Sequence, residues 1–140
     1  MKSTALLLMV CIAMISCNTL TQKGTSDLLT STKWTVEQKQ LLNGEMLTTL
    51  ENYSFQKDGK YIFESGEAKV TGQWKWTGMD EIYLELKSIT LKGVQQDFDN
   101  KQNYFIRILE VSEDKLRTLE RFNGDSWDSG FAKEKTYIRS

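Results

Sequence analysis

From Trp34 to the C-terminus one device recurs: a short run alternates apolar and polar residues, then breaks at a Gly, Asn or Asp turn. "KWTVEQ" (33–38) sets Trp34 and Val36 on one face. "NYSFQ" (52–56) does the same with Tyr53 and Phe55, and "KYIFE" (60–64) with Tyr61 and Phe63. "KVTGQWKW" (69–76) aligns Val70, Gly72, Trp74 and Trp76, and "EIYLELK" (81–87) aligns Ile82, Leu84 and Leu86. "YFIRILEV" (104–111), "KLRTLERF" (115–122) and "FAKEKTYIR" (131–139) bring the count to eight. Turns fall at Lys57-Asp58-Gly59-Lys60, Glu64-Ser65-Gly66-Glu67, Thr77-Gly78-Met79-Asp80, Ser112-Glu113-Asp114 and Asn123-Gly124-Asp125. A side-chain period of two, with no long helical period between runs, argues against parallel βαβ units. Two antiparallel solutions remain, a two-sheet sandwich and an up-and-down barrel. The short spacing favours the meander, so the expected fold is all-β: an eight-stranded antiparallel up-and-down β-barrel.

Ahead of the barrel, "SDLLTST" (26–32) predicts one short helical turn with Ser26 as N-cap. The N-terminus carries Lys2, an apolar run from Ala5 to Ile15, then Ser16 and Cys17. That pattern predicts a secretory signal peptide, too short to span a bilayer comfortably. Met14-Ile15-Ser16-Cys17 resembles a bacterial lipobox, whose cysteine is acylated and becomes the first residue. The expected organisation is a lipoprotein signal peptide at 1–16, a lipidated tether at 17–27 and a barrel domain at 28–140. The expected partner is a membrane, reached through lipid on Cys17. No acidic cluster follows Cys17, which favours a bacterial outer membrane facing the periplasm over surface display. The other cysteine, Cys11, lies in the removed segment, so the domain must be held by its core rather than by a disulfide.

The hairpins carry a resemblance. Phe-x-x-Asp-Gly-x-Tyr at Phe55–Tyr61, Gly-x-Trp at Gly72–Trp74 and Ile-Leu-Glu-Val-Ser-Glu-Asp-Lys-Leu at Ile108–Leu116 resemble the small lipocalin-like domains of bacterial, Bacteroidota-type lipoproteins. The resemblance runs from about Trp34 to Tyr137. Thr32 stands where the family usually has a glycine, two before the first tryptophan. The resemblance implies a barrel or flattened barrel with a small apolar pocket, and Arg139 stacked on Trp34. It implies no shared reaction.

Chemistry is constrained by elimination. The chain has no histidine, which removes imidazole bases and the commonest zinc ligand. The glycines are isolated, so no phosphate-cradling loop is present. Most acids, Glu120 among them, fall on the face read as polar, where they solvate the exterior. Asp97, Asp99 and Asn103 offer oxygen ligands without EF-hand spacing and read as a mobile loop near a barrel mouth. With a net charge of −1, nucleic acid is not an expected partner. No enzymatic activity, cofactor or metal is expected.

The candidate ligand-binding residues are therefore the aromatics Trp34, Tyr53, Phe55, Tyr61, Phe63, Trp74 and Trp76, with Arg107 as candidate for an anionic head group. Arg107 shares a face with Phe105 and Leu109, while Tyr104, Ile106 and Ile108 share the other. Both faces are apolar, so periodicity leaves the register open, and the cost of an unpaired interior guanidinium favours Arg107 in water. An eight-stranded interior can be filled by side chains or hold one small ligand. Two functions follow from these alternatives. One is a lipid-anchored lipocalin-like envelope protein that binds a small apolar or amphipathic ligand in or at the mouth of the barrel. The other is a protein-interaction module, such as an envelope inhibitor or immunity protein, that needs no cavity.

Overall fold

A computed structural model describes residues 21–140. The signal segment 1–16, Cys17 and the tether up to residue 20 lie outside the described residues. Thr21 starts helix α1 (Gln22–Thr30), its hydroxyl accepting the Gly24 amide at 3.2 Å. The helix is thus longer than the turn expected from Ser26, and it begins within the segment read as tether. Its first part has no apolar period. What holds it is the Thr21 cap and one buried face, Thr25 and Leu29, spaced one turn apart. Ser31 ends it, donating its hydroxyl to the Leu28 carbonyl at 2.8 Å.

Eight strands follow: β1 (Trp34–Leu42), β2 (Glu45–Phe55), β3 (Lys60–Ser65), β4 (Ala68–Trp76), β5 (Glu81–Leu91), β6 (Val94–Val111), β7 (Lys115–Phe122) and β8 (Lys133–Arg139). Each pairs antiparallel with its successor and β8 returns to β1, so the chain forms the closed up-and-down barrel that the alternation predicts. Val70, Gly72 and Trp74 point inward from β4, as do Ile82 and Leu84 from β5, Ile106 from β6 and Leu116 from β7.

One end is closed. There α1 meets the β4–β5 turn, where the Gln22 side chain donates to the Gly78 carbonyl at 2.7 Å. The Trp34 indole N–H donates to the Leu29 carbonyl at 2.9 Å, and both residues are fully buried with Ile82, Leu116 and Tyr137. Arg139 stands opposite Trp34 on the ladder, yet no stacking between them occurs among the described residues. Leu29 packs with the indole instead, and the Arg139 guanidinium donates to the Glu113 carbonyl at 3.3 Å.

The other end is open, and its hairpins are longer than the alternation suggests. Asn43-Gly44 joins β1 to β2 with φ of 52° and 84°. Lys92-Gly93 joins β5 to β6 with φ of 48° and 81°. Paired positive φ matches the right-handed twist of the flanking strands and makes a two-residue hairpin. The acidic stretch at Asp97 and Asp99, read as a mobile loop, is therefore part of β6, with Asp97 opposite Ser88 on β5. The ladder then shifts register between Leu86 and Ser88, where β6 carries the extra residues.

The seam between β1 and β8 is short. Its rungs are Trp34–Arg139 and Thr35–Ile138, both at the closed end. Beyond them β1 pairs with β2 alone, so residues 37–50 form an arm of two strands whose every residue is exposed, Leu41 at 69% and Met46 at 61%.

Candidate functional site

Above the closed-end plug the barrel encloses a chamber of about 260 Å³. Its wall is aromatic on one side, with Tyr53 and Phe55 from β2 and Tyr61 and Phe63 from β3. Aliphatic Val70, Leu84, Leu86 and Ile106 face them from β4, β5 and β6. The rings brace one another edge-on: Tyr53 meets Tyr137 at 4.9 Å between centroids and Phe55 meets Tyr61 at 5.2 Å. Phe63, Leu86, Tyr104 and Lys135 are only partly buried, so the chamber opens to solvent.

Four of the predicted aromatics thus line the chamber: Tyr53, Phe55, Tyr61 and Phe63. Three do not. Trp34 is spent in the closed-end plug. Trp74 points inward, but it packs edge-on against Phe55 at 5.8 Å and donates its indole N–H to the Gln56 carbonyl at 3.0 Å. Trp76 leans on Trp74 at 6.0 Å, below the chamber floor, and its buried indole N–H has no partner among the described residues.

Arg107 does not line the chamber. Tyr104, Ile106 and Ile108 take the inward face of β6, which sets Arg107 on the outer wall. There its guanidinium covers the Trp127 ring at 4.4 Å and approaches Glu81 at 4.0 Å. Arg121 stacks on the same Trp127 at 4.7 Å and on Phe105 at 4.3 Å. These contacts pin the β7–β8 loop to the outside of the barrel.

The polar part of the site comes from residues the alternation assigned elsewhere. Inward Leu116 and Thr118 carry Glu120 inward with them on β7. The expectation that Glu120 belongs to the solvated exterior is corrected, because both faces of "KLRTLERF" contain leucine and only packing chooses between them. The Glu120 carboxylate accepts from the Tyr137 hydroxyl and from Thr118 Oγ1 at 3.1 Å, and forms an ion pair with Lys135 Nζ at 3.0 Å. Lys135 also lies 5.4 Å above the Tyr53 ring, whose hydroxyl donates to Glu51 at 2.7 Å. The Tyr61 and Tyr104 hydroxyls make no hydrogen bond among the described residues.

Burial pushes the Tyr53, Tyr61 and Tyr137 phenols well above their ordinary range. The negative charge of Glu120 adds to the effect on Tyr61 and Tyr137, and the bond to Glu51 adds to it on Tyr53. All three are neutral hydroxyls at any physiological pH. The Glu120 carboxylate is held in place by Thr118 on β7 and by Lys135 and Tyr137 on β8. No cluster of three acidic, histidine or cysteine side chains able to hold a metal ion occurs among the described residues.

Outside the chamber lies a vestibule of about 470 Å³ under the β7–β8 loop. It shares Tyr104, Glu120 and Lys135 with the chamber and adds Phe122, Phe131 and Lys133. Chamber and vestibule adjoin at these three shared residues, and the vestibule is the wider of the two. No known protein family, curated protein or solved structure matches the chain.

Proposed function

We propose that this chain is a lipid-anchored, lipocalin-like protein of a bacterial envelope that carries a small apolar or amphipathic molecule in its barrel and catalyses no reaction. The observation that carries the reading is the aromatic chamber of about 260 Å³ above a filled plug. A dry cavity of about 150 Å³ holds benzene, so this chamber scales to a body of about ten non-hydrogen atoms. A barrel needing only a core would close over such a space, because packing interiors tightly is favourable. The anchor rests on the lipobox resemblance of Met14–Cys17.

Native mass spectrometry of the protein purified from its own host tests the ligand. The expected spectrum shows a retained small molecule, and Val70→Trp, which fills the chamber from β4, loses it. An empty wild type that co-purifies with a protein would overturn the ligand reading in favour of an interaction module. That second reading has its own support in the arm, where Leu41, Leu42, Met46, Leu47 and Leu50 stand exposed.

A further inference from the structure

We infer, building on the ligand-carrying role, that the molecule has an anionic head, a carboxylate or an equivalent oxyanion, which sits in the vestibule against Lys133 and Lys135 while its apolar body fills the chamber. The argument is one of unused hydrogen-bonding capacity. The recess has one carboxylate at its waist, Glu120, which accepts from the Thr118 and Tyr137 hydroxyls and is ion-paired with Lys135. A cationic head would have to compete with Lys135 for this carboxylate. The donors are the opposite case. Tyr61 and Tyr104 present hydroxyls with no hydrogen-bond partner among the described residues. Lys135 has three N–H groups and one carboxylate partner. Lys133 lines the vestibule, is exposed, and makes no ion pair among the described residues. What would complete this set is a group that only accepts.

Charge points the same way. Lys135 is paired with Glu120, which leaves Lys133 as a vestibule cation without an ion-pair partner among the described residues. Arg121 is held away by its stacking on Phe105 and Trp127 and by its bond to the Asp125 carbonyl at 2.8 Å. The two lysines on β8 are two residues apart, so both point inward on the same side of the strand. Phe122 and Phe131, both exposed, flank them and offer apolar surface beside the head.

Three probes with one body and different heads test the inference on the full chain held in amphipol: 4-phenylbutanoate, 4-phenylbutan-1-ol and 4-phenylbutan-1-amine, each titrated by calorimetry. The carboxylate is expected to bind about tenfold tighter than the alcohol, with the amine weakest. Lys133→Gln, at an exposed position that packing does not depend on, should bring the carboxylate to the affinity of the alcohol and leave the alcohol unchanged. Raising salt should weaken the carboxylate alone. If the three probes bind equally, or Lys133→Gln keeps the preference, the ligand role stands and this inference falls. If none binds and Val70→Trp behaves as wild type in native spectra, the ligand role itself falls and takes the inference with it.

Discussion

Gly72 is where the barrel wall has no slack. It sits between the inward residues Val70 and Trp74, beside the register shift at Thr71/Gly72 on the β4–β5 ladder. A Cβ there would lie 2.5 Å from the Glu85 carbonyl oxygen and 3.2 Å from both the Glu85 carbonyl carbon and Leu86 Cα. Those atoms are backbone, hydrogen-bonded in the sheet, and cannot swing aside as a side chain would. Relief requires β5 to move by about 1 Å where it supports Leu84 and Leu86 in the chamber wall. Overpacking of this kind costs about 1–3 kcal/mol, and an unyielding neighbour puts Gly72→Ala at the upper end, about 3 kcal/mol. Against a typical domain stability of about 5–15 kcal/mol that is a large fraction. Urea unfolding followed by tryptophan emission should show a lower midpoint at unchanged slope. Gly66→Ala is the control: a Cβ there meets nothing within 4 Å, and its φ of 56° charges only the left-handed penalty, about 1–2 kcal/mol. Gly72→Ala within about 0.5 kcal/mol of wild type, or milder than Gly66→Ala, would refute the reasoning.

Two further outcomes follow from buried groups. The folded state raises the phenol pKa of Tyr53, Tyr61 and Tyr137 above the unfolded value near 10, so their contribution to stability is complete below that pH and is lost as pH rises beyond it. Far-ultraviolet dichroism and phenolate absorbance, recorded together, should show these three tyrosines ionising only as the barrel unfolds; early ionisation with native dichroism would contradict their burial. Trp34→Phe removes the donor to the Leu29 carbonyl and leaves that acceptor buried, at about 2 kcal/mol. Hydrogen exchange should then quicken in α1 before the strands, and unchanged protection there would show that the indole does not hold the helix.

Strand number and order were legible because alternation and turn residues agree over most of the chain. The ends of the strands were less so. Asn43-Gly44 is a strong hairpin signal, and reading it would have extended β1 and β2 across the arm. Lys92-Gly93 is weaker, since lysine seldom adopts positive φ, so the first half of β6 passed for a loop. Of the site, the aromatic wall of Tyr53, Phe55, Tyr61 and Phe63 was visible as two paired faces. The polar waist was not. Glu120 and Lys135 lie on strands whose two faces are both mixed, and a charge is assigned to water by default. They are tolerated inside because they satisfy each other across β7 and β8, a relation that appears only once those strands are in register. Trp34, Trp74 and Trp76 faced inward as read, but alternation says nothing about depth along the barrel, and these three lie below the cavity.

The short seam gives the barrel an uneven stiffness. In a fully laddered barrel, widening the mouth tears backbone hydrogen bonds all the way round. Here β1 is tied to β8 by two rungs at the closed end, and from Val36 onward nothing on that side has to break. The arm can tilt outward about Trp34 and Thr35, carrying its six rungs from Glu37–Leu50 to Leu42–Glu45 intact. The compliance is directional as well: β5, bonded on both edges, stays rigid while the opposite wall yields. The barrel is therefore bounded by a compliant edge at the seam and by a fully laddered sheet across from it. Lys133 and Lys135, paired on their β7 side alone among the described residues, stand on the opposite lip of the same unlaced edge.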